Sequence, residues 1–80
     1  MMKIGVKILP RNEVLDSQGR AVEKTLTQNG KAVGACRVGK YVQLDIEESD
    51  QASALARAKE ITEFILYNPL IETFELEVVS

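Results

Sequence analysis

Residues 31–47 run Lys31-Ala32-Val33-Gly34-Ala35-Cys36-Arg37-Val38-Gly39-Lys40-Tyr41-Val42-Gln43-Leu44-Asp45-Ile46-Glu47. The segments from Ala32 to Val38 and from Lys40 to Glu47 read as two short strands with side chains alternating between faces. A tight turn at Gly39-Lys40 joins them, and glycine in first position suits a type II′ hairpin turn. In the later strand Val42, Leu44 and Ile46 point to a core, while Tyr41, Gln43, Asp45 and Glu47 point away. In the earlier one Gly34, Cys36 and Val38 share the apolar face, opposite Ala35 and Arg37.

Working outward, Lys3 to Leu9 alternates in the same way, with Ile4, Val6 and Ile8 on one side. Pro10 ends this strand, since proline cannot donate to a ladder. Asp16 is the expected N-cap of a first helix and Gly30 its C′ residue. That helix is weakly amphipathic, with Val22 and Leu26 as its strong apolar positions. Gly19 near its start lowers its intrinsic stability. Ser49 or Asp50 caps a second helix, whose apolar stripe runs through Ala54, Leu55, Ala58, Ile61, Thr62, Ile65 and Leu66. Asn68-Pro69 stops it, and Ile71 to Val79 forms a last strand with Phe74, Leu76 and Val78 inward. The order predicts an α+β fold: a ferredoxin-like βαββαβ sandwich, residues 1–80 as one domain, with a four-stranded antiparallel sheet and two helices on one face. The other face is left bare. It would carry Lys3, Gly5, Lys7, Ala35, Arg37, Tyr41, Gln43, Asp45, Thr73, Glu75, Glu77 and Val79, a mixed surface suited to self-association or a protein partner.

Composition narrows the function. Apolar residues make up 45% of the chain, which suits a packed fold. Ten basic and 12 acidic side chains are interspersed, for a net charge of −2, so no footprint for nucleic acid is present. No apolar run is long enough to span a membrane, and residues 1–6 lack the stages of a signal peptide. With a single cysteine, a reducing cytoplasm is the natural location. Histidine is absent, which removes the commonest general base and zinc ligand. Cys36 has no base to activate it and reads as an inert thiol. Asp45, Glu47, Glu48 and Asp50 read as a solvated rim and helix-end charge rather than a metal site. Tyr41 has no aromatic company on the first strand with which to stack RNA bases. Arg57, Glu60, Phe64 and Tyr67 share a helix face, where the aromatics serve either a partner surface or the edge of the core. The contact candidates are Arg37, Lys40, Tyr41, Arg57, Phe64 and Tyr67.

Three segments carry a family resemblance. Val14-Leu15-Asp16-Ser17-Gln18-Gly19 is similar to a family stretch that reads Val-Leu-Asp-Pro-Gln-Gly. Arg37-Val38-Gly39-Lys40-Tyr41-Val42-Gln43-Leu44 follows, then Asn68-Pro69-Leu70-Ile71-Glu72. In combination and order they resemble the PurS family, the small subunit of phosphoribosylformylglycinamidine synthase of purine biosynthesis. Ser17 stands where the family has proline, a residue preorganised for a first helical turn.

The resemblance implies a subunit without catalytic residues that forms a homodimer or homotetramer. It implies two partners, a PurQ-type glutaminase that releases ammonia and a PurL-type synthetase that uses ATP to activate the substrate amide. ATP, Mg and glutamine would be used by those partners and not by this chain. Two other readings share the topology. One is an effector-binding domain of the ACT type. The other is an acylphosphatase, disfavoured because Arg11 and Asn12 sit in a loop without glycine.

Overall fold

The computed structural model describes residues 1–80. Strand β1 spans Met2–Pro10, helix α1 Ser17–Gln28, strand β2 Lys40–Ile46, helix α2 Gln51–Ile61 and strand β3 Glu72–Val78. The sheet has three strands in the order β2-β1-β3, and β1 runs antiparallel to both neighbours. Val6 lies opposite Val42 on one side and Leu76 on the other. The alternation expected for these three strands is therefore realised in a common register, since a slip of one residue would exchange the two faces.

The core forms where α2 crosses β1. Ile4, Val6, Ile8, Ala54, Ala58 and Thr62 are all buried, with Ile46 beside them. Ala54, Ala58 and Thr62 recur every four residues, so small side chains line one stripe of α2 and let its backbone approach the isoleucines. Asp50 caps this helix, accepting a hydrogen bond from the Ser53 amide at 3.0 Å. At the other end the buried Thr62 hydroxyl donates to the Ala58 carbonyl at 2.8 Å. Such back-bonding competes with the regular ladder, and residues Thr62–Leu66 widen into a π-helical turn.

Two expectations are corrected. Residues 31–39 form no strand, so the sheet has three strands and not four. The hairpin at Gly39-Lys40 is also absent. A type II′ turn needs positive φ at its first central residue, and Gly30 is the one residue with positive φ, at 74°. Gly39 is small for another reason: a Cβ there would collide with the Ile8 carbonyl, so the glycine lets the chain enter β2 against the end of β1. Cys36, expected on the apolar face of a strand, lies half-buried in this irregular connector.

The second correction concerns α1. It was expected to lie beside α2 on the sheet, yet it makes no substantial packing interface with either. The molecule measures 48 × 26 × 15 Å with a radius of gyration of 15.6 Å, against about 12 Å for a compact chain of this length. The ends of α1 are nevertheless built as expected. Asp16 caps the start. At the finish the Lys31 amide bonds to the Leu26 carbonyl at 2.8 Å and the Gly30 amide to Thr27 at 3.2 Å, a Schellman closure around the positive-φ glycine.

The packing stripe of α2 yields a prediction. Ala58→Leu forces a larger side chain between helix and sheet, and overpacking of this kind costs about 1–3 kcal/mol. Urea unfolding should show a lower midpoint with an unchanged slope.

Candidate functional site

The bare sheet face carries one connected polar cluster. Tyr41 on β2 donates its hydroxyl to Glu77 Oε2 on β3 at 2.7 Å. Lys7 on β1 forms an ion pair with Glu77 Oε1 at 3.0 Å. Strand pairing sets Lys7 opposite Tyr41 and Gly5 opposite Glu77, so the Tyr41 ring reaches diagonally across the central strand. It passes over Gly5, where a Cβ would strike the ring and hydroxyl. The glycine is therefore the groove through which two edge strands are bonded to each other.

The bonds set the protonation behaviour. The Tyr41 hydroxyl and the Lys7 ammonium hold the Glu77 carboxyl below its ordinary range. The hydrogen bond to Glu77 raises Lys7 and Tyr41 above theirs. Both Lys7 and Glu77 stay in contact with water, which screens the pair. The cluster stiffens a face and presents hydrogen-bonding groups. It has no nucleophile with a base, and no group of three or more acidic or thiol side chains is gathered anywhere to hold a metal.

A second built region joins α1 to the connector. The Asp16 carboxylate accepts from the Gly19 amide at 2.9 Å through Oδ1 and from the Val38 amide at 2.8 Å through Oδ2. These two bonds hold the Asp16 carboxyl below its ordinary range. Gly19 is buried, and a Cβ there would meet the Cys36 carbonyl and the Asp16 side chain. Its cost in helix propensity is thus tied to a backbone contact that the sequence pattern did not reveal.

The six contact candidates fall into different places. Tyr41 is engaged by Glu77, and Lys40 is exposed at the start of β2. Arg37 stands exposed in the connector. Arg57 reaches Glu48 at 3.4 Å. The two aromatics separate. Tyr67 packs edge-on against Phe74 with ring centroids 4.7 Å apart, completing the core margin. Phe64 is 84% exposed, next to Ile65 at 70% and close in sequence to Leu70 at 82%. The widened π turn between Thr62 and Leu66 rotates side chains off the regular 3.6-residue line, so residues expected on one face part company. On α1, Ala21, Val22, Thr25 and Leu26 line a shallow apolar hollow of about 260 Å³ that no part of the chain covers. The sequence pattern of this helix is weakly amphipathic, with only Val22 and Leu26 strongly apolar.

Comparison with known proteins decides the kinship. The family model described as PurS, phosphoribosylformylglycinamidine (FGAM) synthase, matches residues 3–80. This chain belongs to the PurS family. It is 38% identical over 79 residues to the phosphoribosylformylglycinamidine synthase subunit PurS of Bacillus subtilis, covering 98% of this chain and 93% of that one. The solved purS subunit of Thermotoga maritima superposes with a TM-score of 0.91 at 28% identity, over 98% of this chain and 91% of that one. A chain in the structure of PurLQS from the same organism matches at 0.89 and 26% identity, over 98% and 96%. The expected PurS kinship is thus established, and the effector-binding alternative has no support among these matches. No helix of this PurS-family chain is long and apolar enough to cross a membrane.

The polar cluster and the Asp16 clamp make stability depend on pH at both ends. Glu77 and Asp16 have lowered folded values, so their contribution is complete above the ordinary carboxylate range and is lost as pH falls below about 4. Lys7 and Tyr41 have raised values, so theirs is present below about pH 10 and lost as pH rises through the folded value. Tyr41→Phe should flatten the alkaline decline and lessen the acid one, read from urea midpoints across pH. Gly5→Ala should displace the ring and reproduce much of this change. Unaltered pH profiles in both variants would remove the cluster from the account of stability.

Proposed function

We propose that this chain is the small, non-catalytic subunit of a phosphoribosylformylglycinamidine synthase assembled from PurL-, PurQ- and PurS-type chains. The observation that carries the reading is the match, over nearly the whole chain, to a PurS-family fold present in the PurLQS structure of Thermotoga maritima. In this reading the glutaminase partner releases ammonia and the synthetase partner uses ATP, Mg and the substrate. The small subunit holds the two in a fixed, water-excluding relation, because ammonia that escapes to water is protonated and lost. Orientation and exclusion of water are contributions a catalytically inert scaffold can make. A cytoplasmic location suits this role and the unpaired Cys36.

The surfaces for this task are the ones the chain leaves uncovered. Phe64 with Ile65 beyond the π turn, the exposed Arg37 and Lys40, and the Tyr41 face are offered as docking groups, with Arg57 and Tyr67 at their margin. A homodimer or homotetramer is the economical way to cover α1 and the free outer edge of β2. The extended shape supports self-association, since a lone copy leaves Val22 and the α1 hollow open to water. Addition of residues 31–39 to a sheet edge in such an assembly would restore the ferredoxin-like four-stranded form.

Reconstitution tests the role. Leaving this chain out of a mixture with its two partners should abolish glutamine-dependent product while sparing turnover driven by added ammonia. A full glutamine-dependent rate without it would refute the scaffold reading. Light scattering on the purified chain should give more than one copy per particle, and Val22→Asp with Leu26→Asp should reduce that number. A monomeric parent would exclude self-association.

A further inference from the structure

The chain is acidic overall, with a net charge of −2, yet three arginines from three separate segments meet at one place. Arg11 follows β1, Arg20 lies in the first turn of α1, and Arg37 belongs to the connector. All three wall a cleft of about 290 Å³. Arg11 and Arg37 also wall an adjoining hollow of about 220 Å³, which has no hydrophobic lining residue. Asn12 lines both and can add an amide donor.

The arrangement is built by specific contacts. The Arg11 Nε donates to the Pro69 carbonyl at 3.0 Å, which fixes the guanidinium plane and leaves its terminal nitrogens free. The buried Gly19 admits the Cys36 carbonyl against α1, and the Asp16 carboxylate grips the Val38 amide. Those two contacts bracket Arg37, which lines the cleft together with Arg20. Neither Arg20 nor Arg37 has a carboxylate within ion-pair distance, for the ion pairs of the chain are Lys7–Glu77 and Arg57–Glu48. Asp16 and Glu23 share the cleft and Glu13 the adjoining hollow, so the three guanidinium charges of the cleft are offset by two carboxylates to a net charge of +1, and the Asp16 oxygens are oriented toward the Gly19 and Val38 amides.

We propose that this three-arginine cleft is a binding site for a phosphate group. A planar carboxylate is satisfied by one guanidinium fork. A tetrahedral phosphate presents oxygens in several directions and can accept from forks converging from different sides. The cleft is open enough to admit a phosphate monoester with its organic part directed to solvent. The site shares Arg37 with the proposed docking surface, but phosphate binding is read on this chain alone and stands or falls without partner subunits.

The test uses the full chain and inorganic phosphate. At constant ionic strength, phosphate should shift the NMR side-chain Nε–H signals of Arg11, Arg20 and Arg37 in a saturable manner. Arg20→Gln with Arg37→Gln should weaken the apparent affinity at least about tenfold, as loss of charge-assisted hydrogen bonds requires. Both positions are exposed, and circular dichroism should show the fold of the double variant unchanged. Arg20→Lys with Arg37→Lys should retain part of the binding, since charge survives while the fork is lost. Acetate at matched concentration should produce a weaker response. Absence of saturation, equal binding by the double glutamine variant, or an equal response to acetate would each overturn the proposal.

Discussion

Everything in this molecule is organised about the central strand β1. Its inward residues Ile4, Val6 and Ile8 are buried, Ile4 in one cluster with Ile46 and with Ala54 and Ala58 of α2, and its backbone is paired on both sides. A strand so placed cannot slide, because a one-residue shift would drive Lys3, Lys7 and Leu9 into the core and the isoleucines into water. The Ala54, Ala58 and Thr62 stripe is the complementary half of that constraint. Larger side chains there would hold the helix off the sheet. The core is thin, as expected for so short a chain, and little of its stability can come from elsewhere.

On the opposite face the same strand supplies a gap instead of a side chain. Gly5 allows Tyr41 to reach Glu77, so the two edge strands are connected through a hydrogen bond over the central one. Lys7 completes the contact by sharing the same carboxylate. These partners remain accessible to water, and their energetic weight is accordingly modest. Their structural effect is to hold a bare sheet face in one arrangement.

Helix α1 and the connector behind it follow a different logic. They are held to the rest of the molecule through local devices: the Asp16 carboxylate, the buried Gly19, the Schellman closure at Gly30 and the close passage of Gly39 over Ile8. None of these is a hydrophobic interface. Precise local geometry is combined with an uncovered apolar hollow on the helix, a combination suited to an element completed by association. The same devices also set Arg20 and Arg37 on one cleft.

Much of the local structure was legible in the linear order of residues. Alternation in Lys3–Leu9, Lys40–Glu47 and Ile71–Val79 marked three strands, and Asp16, Gly30 and the choice of Ser49 or Asp50 marked helix ends, because each rests on chemistry within a few residues. Tyr41 was visible as an outward residue, and the PurS resemblance was readable from short segments. What only the tertiary structure decided depends on distant partners. Alternation in Ala32–Val38 cannot say whether a neighbouring strand exists to pair with it. A glycine at 39 is equally compatible with a turn and with a close backbone approach. The reach of Tyr41 across Gly5, the parting of Phe64 from Tyr67 and the meeting of three arginines arise from register, a widened helical turn and a carboxylate clamp. Periodicity encodes which way a side chain faces; what it faces is fixed only once the elements are packed in three dimensions.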